Sequence, residues 1–221
     1  MATANSLRVR LSEEWTVFAL QRFYGYRYQS LLGRSFGDMS NCQNETGIYG
    51  GVSTTTIPNT TLAAYIDCAY HPWFRFGYNN ASRSFDAYIH ASYTKEETTA
   101  TLRYRYRELA LAPDGSAFPA FNSIGNGTAQ HTLRLSLKHT SDCWTTVSQV
   151  HSAYLPSSSD WGYLVSQAVG YRLARRRKVF SSLITSSPLS LWCSLTYFNT
   201  SGYDSRLYLT DQDMAYSMTS Q

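Results

Sequence analysis

Arg103, Arg105 and Arg107 stand at every second position of one short stretch. Guanidiniums spaced this way share one face of an extended chain, where they could bind an anion or line a basic passage. Arg134 and Lys138 repeat the pattern later in the chain. Two readings compete for these cations. In one they form a basic lumen wall that biases a pore toward anions. In the plainer one they face water inside a barrel and pair with carboxylates on neighbouring strands. Interior charge is ordinary in barrels, which favours the plainer reading.

The other reactive side chains point to no catalysis. Cys42, Cys68, Cys143 and Cys193 lie far apart and form no CxxC pair. Two disulfides are open to them in an oxidising compartment, but widely spaced cysteines more often serve as small apolar residues. Cys68 and His71 could begin a metal site, yet a structural zinc needs four ligands and no partner pair stands out. His90, His131, His139 and His151 show no HExxH or HxH spacing. There is no GxSxG and no Gly-rich phosphate loop leading into a helix. Carboxylates sit mostly in polar turns, at Glu13, Glu14, Glu96, Glu97 and Asp142. Neither enzymatic activity nor a bound cofactor or metal is expected. The run Arg175–Lys178 reads as a solvated turn at a membrane surface, and without stacking aromatics in a matching groove nucleic acid is not expected. Sequons at Asn44, Asn59, Asn80, Asn126 and Asn199 are as frequent as chance gives in a chain rich in Ser and Thr, so glycosylation is not inferred.

The elements that must position these side chains are strands. Charged residues make up only 15% of the chain, against a usual share of about 25%. Aromatic residues make up 15%, with 18 Tyr among them. The net charge of +4 is too mild for a dense nucleic-acid-binding surface. Mean hydropathy is −0.33, which suits a barrel whose apolar half hides in alternate residues. No uninterrupted apolar run reaches the roughly 18 residues of a membrane helix. The nearest, Val179–Tyr203, follows a positive flank but is broken by many Ser and Thr and by Pro188.

Period two dominates. In Thr98–Arg107, Ala100, Leu102, Tyr104 and Tyr106 oppose Thr99, Thr101 and the arginines. Phe85–Tyr93 alternates likewise, and Lys95-Glu96-Glu97 joins the two runs as a tight turn. Leu7–Leu11 leads through Glu13-Glu14 into Trp15–Tyr24. Thr132–Lys138 leads through Thr140-Ser141-Asp142 into Cys143–Tyr154. Further strands are predicted over 62–69, 73–78, 161–172, 189–198 and 205–210. Short turns near 13–14, 95–97 and 139–142 alternate with longer links at 25–61, 110–129 and 155–160, with 173–188 as an enlarged turn on the short side. Short turns at one end and long loops at the other characterise up-and-down membrane barrels. The link 25–61, rich in Gly, Ser, Asn and Thr, reads as one long external loop. Trp15, Trp73, Trp144 and Trp161 lie at or near strand ends, as interface aromatics would, with Trp192 the exception. The expected fold is therefore all-β: an antiparallel up-and-down transmembrane β-barrel, partial or open. It forms a single region over 1–221, of about ten to twelve strands.

The C-terminal third is more specific. Tyr197-Phe198 leads through Asn199, Thr200 and Ser201 to Gly202-Tyr203-Asp204-Ser205-Arg206-Leu207-Tyr208, then to Asp211, Asp213 and Met214–Ser217. This resembles the barrel region of a family of Bacteroidetes outer-membrane β-barrel proteins, some with upstream helix-hairpin-helix modules. The motif covers about 197–217; Ser84–Arg107 and His131–Arg172 are similar to the family's strands in pattern alone. The resemblance implies an outer-membrane barrel, with the lipid bilayer and, for a full-length chain, the assembly machinery as partners. Met1–Ser6 carries no apolar signal core and Met218–Gln221 no terminal aromatic, which reads as a piece of a longer exported chain.

The expected role is structural, pore-forming or at the cell surface. The alternative is a soluble or secreted antiparallel β-sandwich that binds a partner, and an enzyme on a β scaffold stands third. The first two differ in where the apolar stripe points. A barrel turns Leu and Tyr outward and Arg and Thr inward, and a sandwich does the reverse.

Overall fold

A computed structural model describes residues 1–29, 36–38, 42–73, 81–109, 128–173, 189–202, 205 and 207. The strands are β1 (Ala2–Arg10), β2 (Trp15–Tyr24), β3 (Glu45–Thr54), β4 (Thr60–His71) and β5 (Ser82–Lys95). They continue with β6 (Thr98–Leu109), β7 (Thr128–Thr140), β8 (Trp144–Leu155), β9 (Asp160–Leu173) and β10 (Leu189–Thr200). All ten form one antiparallel sheet in chain order. The all-β, up-and-down expectation holds. The sheet is open: β1 and β10 are its edges, and among the described residues no ladder closes it into a barrel.

One element departs from expectation. The stretch 25–61 is not a single loop, because β3 runs through it. Gly47, Gly50 and Gly51 gave that stretch a loop-like composition. Two of these glycines are small for a tertiary reason. A Cβ on Gly47 would lie 2.5 Å from the Arg22 guanidinium carbon, and one on Gly51 would lie 2.5 Å from the Phe18 ring. Both neighbours come from β2, in register with β3. The expected strand 62–69 lies inside β4, 161–172 inside β9 and 189–198 inside β10. The expected strands 73–78 and 205–210 fall almost wholly outside the described residues, as does most of 173–188.

Turn chemistry closes the short hairpins. Ser12 Oγ accepts from the amides of Glu14 and Trp15, at 3.3 and 3.1 Å. Asn59 sits at φ 59° between β3 and β4, a conformation that Asn tolerates well. Glu96, at φ 52°, turns the two-residue connection between β5 and β6.

The two faces differ in kind. By register, Arg22, Asp67, Asp86, Arg107 and Gln130 fall on one side, and Leu7, Ile48, Ile66, Ile89 and Leu135 on the other. The most enclosed charged side chains lie on the polar side. Arg22 is 0% exposed and Glu45 and His71 are 1% exposed. On the apolar side Ile48 is 65% exposed and Leu195 77%. Isolated polar residues on the apolar side satisfy each other across strands. Asn5 donates to Gln21 at 2.9 Å, and Ser148 donates to Gln167 at 2.5 Å.

After β10 the chain folds back onto the start of β9. The Trp161 amide donates to Ser201 Oγ at 2.8 Å, and Ser205 is fully buried. A Cβ on Gly162 would meet the Ser205 carbonyl oxygen at 2.1 Å, so backbone must move if any side chain is added there. Gly162→Val is expected to destabilise the sheet by roughly 1–3 kcal/mol. Gly50→Val, whose nearest heavy atom is 4.0 Å away, should change stability by no more than about 0.5 kcal/mol. Denaturant unfolding followed by tryptophan fluorescence measures both, and equal losses would refute the close-approach explanation.

Candidate functional site: a charged network on the polar face

The network begins with one residue on β2. Strand alternation turns Arg22 to the enclosed face beside Phe18, Leu20 and Tyr24. A guanidinium buried there must find acceptors for its five donors. Its Nε donates to Glu45 on β3. Its two terminal nitrogens donate to both oxygens of Asp67 on β4, at 2.8 and 3.2 Å. Gly47 leaves the space that this guanidinium fills. The Phe36 ring lies 5.3 Å from the guanidinium carbon and packs edge-on against Tyr49.

The described part of the β2–β3 link is pinned onto this arrangement. The Asp38 amide donates to both Glu45 oxygens, at 3.0 and 3.1 Å. Tyr24 donates its hydroxyl to the Phe36 carbonyl at 2.8 Å. The Asp38 carboxylate reaches His71 Nε2 at 3.2 Å and accepts from Arg107 at 3.0 Å. His71 Nδ1 lies 2.9 Å from the Asn44 carbonyl, so both ring nitrogens face oxygen acceptors. Asn44 and Trp73 exchange two hydrogen bonds, at 2.6 and 2.8 Å, which tie the β2–β3 link to the end of β4. Burial alone would raise the Asp38 carboxyl. Hydrogen bonds from His71 and Ser84 and the Arg107 guanidinium outweigh it and hold that carboxyl well below the usual carboxylate range.

The five cations expected to share a face do share one. They differ in pairing. Arg105 forms a two-pronged ion pair with Asp86, and Arg107 pairs with Asp38. For these two the plainer reading applies. Arg103 has no carboxylate partner among the described residues, and Arg134 donates to the neutral Gln149 at 3.0 Å. Lys138 is exposed and makes no ion pair among the described residues. A cleft of about 210 Å³ lies between Asp38, Asp67, Asp86, Arg105, Arg107 and the ring of Tyr65.

The aromatic candidates fall at the two ends of the sheet. Trp15 and Trp144 open β2 and β8 at the short-turn end. Trp161 and Trp73 lie at the opposite end, near the start of β9 and just beyond β4. All four are exposed, by 41–58%. Trp192 instead lies inside β10, its ring over Gly170 on the polar face. Among the described residues no disulfide joins the four cysteines, and no group of three or more His, Cys, Asp or Glu is placed to hold a metal.

The Arg22 hub, with Asp38 and His71, was not anticipated from the sequence. A signal was present: Arg22 and Asp67 are lone opposite charges in strands otherwise uncharged. A comparison with models of known protein families finds no match, and a comparison with curated proteins finds none either.

Arg22→Met strands two buried carboxylates and is expected to destabilise by about 3–5 kcal/mol. Adding Glu45→Gln and Asp67→Asn to it should recover part of that loss. Thermal unfolding monitored by circular dichroism checks the series, and a triple variant no better than the single one would refute the electrostatic explanation. Asp38 adds a pH dependence. A carboxyl whose pKa is depressed by folding stabilises fully above its unfolded value and loses that effect as pH falls toward the folded one. Stability is therefore expected to drop as the pH falls below about 4, and Asp38→Asn should flatten that part of the pH profile.

Proposed function

We propose that this chain forms wall of an outer-membrane-type β-barrel in a bacterial envelope, with a structural, pore or surface role and no catalytic one. The observation that carries the reading is the polarity of the sheet. Most of its large apolar side chains are exposed, while an ion-paired cluster of charges around Arg22 and Glu45 is enclosed. Water favours the opposite arrangement, and a bilayer around a polar interior favours this one. A sandwich would need a second sheet over the apolar face, and among the described residues there is one sheet.

Dimensions agree with that reading. The strands have 9 to 14 residues, against the roughly 9–11 that cross a bilayer at a tilt near 45°. On the outer face of β8 and β9, Trp144 pairs with Tyr171 and Tyr154 with Trp161. Their ring centroids lie 4.5 and 4.3 Å apart. The ten residue steps from Trp144 to Tyr154 span about 33 Å of strand, or about 23 Å across a membrane at that tilt. The apolar band of such barrels is about 25 Å tall. These two aromatic pairs fit the two interfaces. The described part of the β2–β3 link, held on the polar face at Phe36 and Asp38, fits a loop folded into the lumen.

The resemblance of 197–217 to the Bacteroidetes outer-membrane family supports the same assignment, including a longer exported chain. Closure is part of the proposal. Free edges at β1 and β10 would leave backbone groups unpaired in hydrocarbon, at several kcal/mol each. The reading therefore requires those edges to pair with further strands in the membrane.

Fractionation tests it. The chain is expected in the membrane fraction, extractable only by detergent, and to run at different mobilities on a gel before and after heating. A chain that stays soluble without detergent would overturn the proposal. Substitution sharpens the test. Leu135→Arg, on the outer face, should impair insertion, by roughly 2–4 kcal/mol at the midplane. Thr132→Arg, on the inner face, should insert normally. Improved behaviour of Leu135→Arg in plain buffer would point to a water-facing sheet instead.

A further inference from the structure

Four basic or imidazole side chains occupy one straight row across the polar face. His90 on β5 is in register with Arg103 on β6. Arg103 is in register with Arg134 on β7, and Arg134 with His151 on β8. Directly opposed residues in a ladder have Cβ atoms about 5 Å apart, and like charges there repel. Elsewhere on this face that repulsion is relieved: Arg105 has Asp86 and Arg107 has Asp38. Among the described residues this row has no such relief. The row toward the short turns holds Ser92, Thr101, Ser136 and Gln149, all neutral. The row on the other side holds Tyr88, Arg105, Thr132 and Ala153, again without a carboxylate.

One further observation points to a ligand. A polar cleft of about 190 Å³ opens beside the two arginines of the row, lined by Arg103, Arg134, Thr101, Ser136 and Gln149. At about 30 Å³ per water, that volume admits a small ion with part of its hydration shell. Two planar guanidiniums beside hydroxyl and amide donors match a multi-oxygen anion, whose acceptors can be shared between the forks.

We propose that Arg103 and Arg134 form a binding site for a tetrahedral oxyanion, a phosphate or sulfate group, on the polar face of the sheet. Thr101, Ser136 and Gln149 supply neutral hydrogen bonds around it. The bound anion takes the part beside Arg103 and Arg134 that Asp86 plays beside Arg105 and Asp38 beside Arg107. The site lies wholly on the polar face, and so stands whether the apolar face meets lipid or a partner protein.

Equilibrium dialysis of the full chain, folded in detergent, against radiolabelled inorganic phosphate tests it at constant ionic strength in chloride. Saturable binding of one phosphate per chain is expected, with an unfolding midpoint raised by roughly 3–6 °C at ten times Kd. Arg103→Gln and Arg134→Gln should each weaken binding at least about tenfold, the scale of one lost charge-assisted contact. Arg103→Gln should fold at least as well as the parent in chloride, because it removes a repulsion. Lys138→Gln lowers the net charge equally but lies two rows away, and should leave phosphate affinity unchanged. A parallel arm with phenyl phosphate separates the free ion from the same group carried on a larger solute. Comparable affinity means that the group itself is recognised, and binding of inorganic phosphate alone restricts the site to the free ion. Non-saturable binding, or equal weakening by Lys138→Gln and Arg103→Gln, would overturn the proposal and mark a diffuse basic surface.

Discussion

A single buried guanidinium organises half of the sheet. Arg22 on β2 is wholly enclosed, and its acceptors come from β3 and β4. Removing such a charge from water is costly unless every donor is satisfied. The three strands are therefore held in the one register that brings Glu45 and Asp67 to it. A slip of β2 by one residue would carry Arg22 to the apolar face and away from both carboxylates. Glu45 also accepts from the Asp38 amide, and Asp38 reaches His71 on β4 and Arg107 on β6. One connected set of polar contacts thus extends from β2 to β6 and fastens a link between strands onto the polar face. Among the described residues the set ends beyond β6. The arginine of β7 finds an amide instead of a carboxylate, and the polar face changes there from balanced to basic.

How much of this could be read from the sequence follows from what period two contains. Alternation places every strand residue on one of two faces, so the common face of Arg103, Arg105, Arg107, Arg134 and Lys138 was legible. Pairing was not. Whether an arginine meets Asp86 or another arginine depends on register between strands, which alternation leaves free. The direction of the apolar stripe was equally illegible, because an alternating strand reads the same with either face inside. β3 was missed because its glycines answer to side chains on β2. Gly47 and Gly51 are small where Arg22 and Phe18 need room, and no local propensity records that. The motif around Gly202-Tyr203-Asp204-Ser205 was visible as a pattern. The close approach of the Ser205 backbone to Gly162 was not.

The aromatic rings follow a similar division of labour. On the polar face Phe18, Tyr49, Tyr65 and Tyr88 form a continuous file across β2 to β5, with successive centroids 5.0–5.5 Å apart. These rings are occupied with one another, so they stiffen the sheet and offer no open stacking surface. At the sheet ends the rings pair outward instead, where amphipathic side chains can lie with one edge toward polar surroundings.

Every ladder in the sheet joins strands adjacent in the chain. Each hairpin carries its own face pattern and needs only its immediate neighbours. A lineage could therefore duplicate or delete a hairpin without rethreading the remainder, since a two-strand step preserves both strand direction and the side on which the short turns lie. The width of the sheet becomes a quantity that gene-level events can adjust in increments. The exception is the β2–β4 block, where Arg22 couples three consecutive strands. That block would have to be inherited whole, and it is the natural place to look for the oldest part of the architecture.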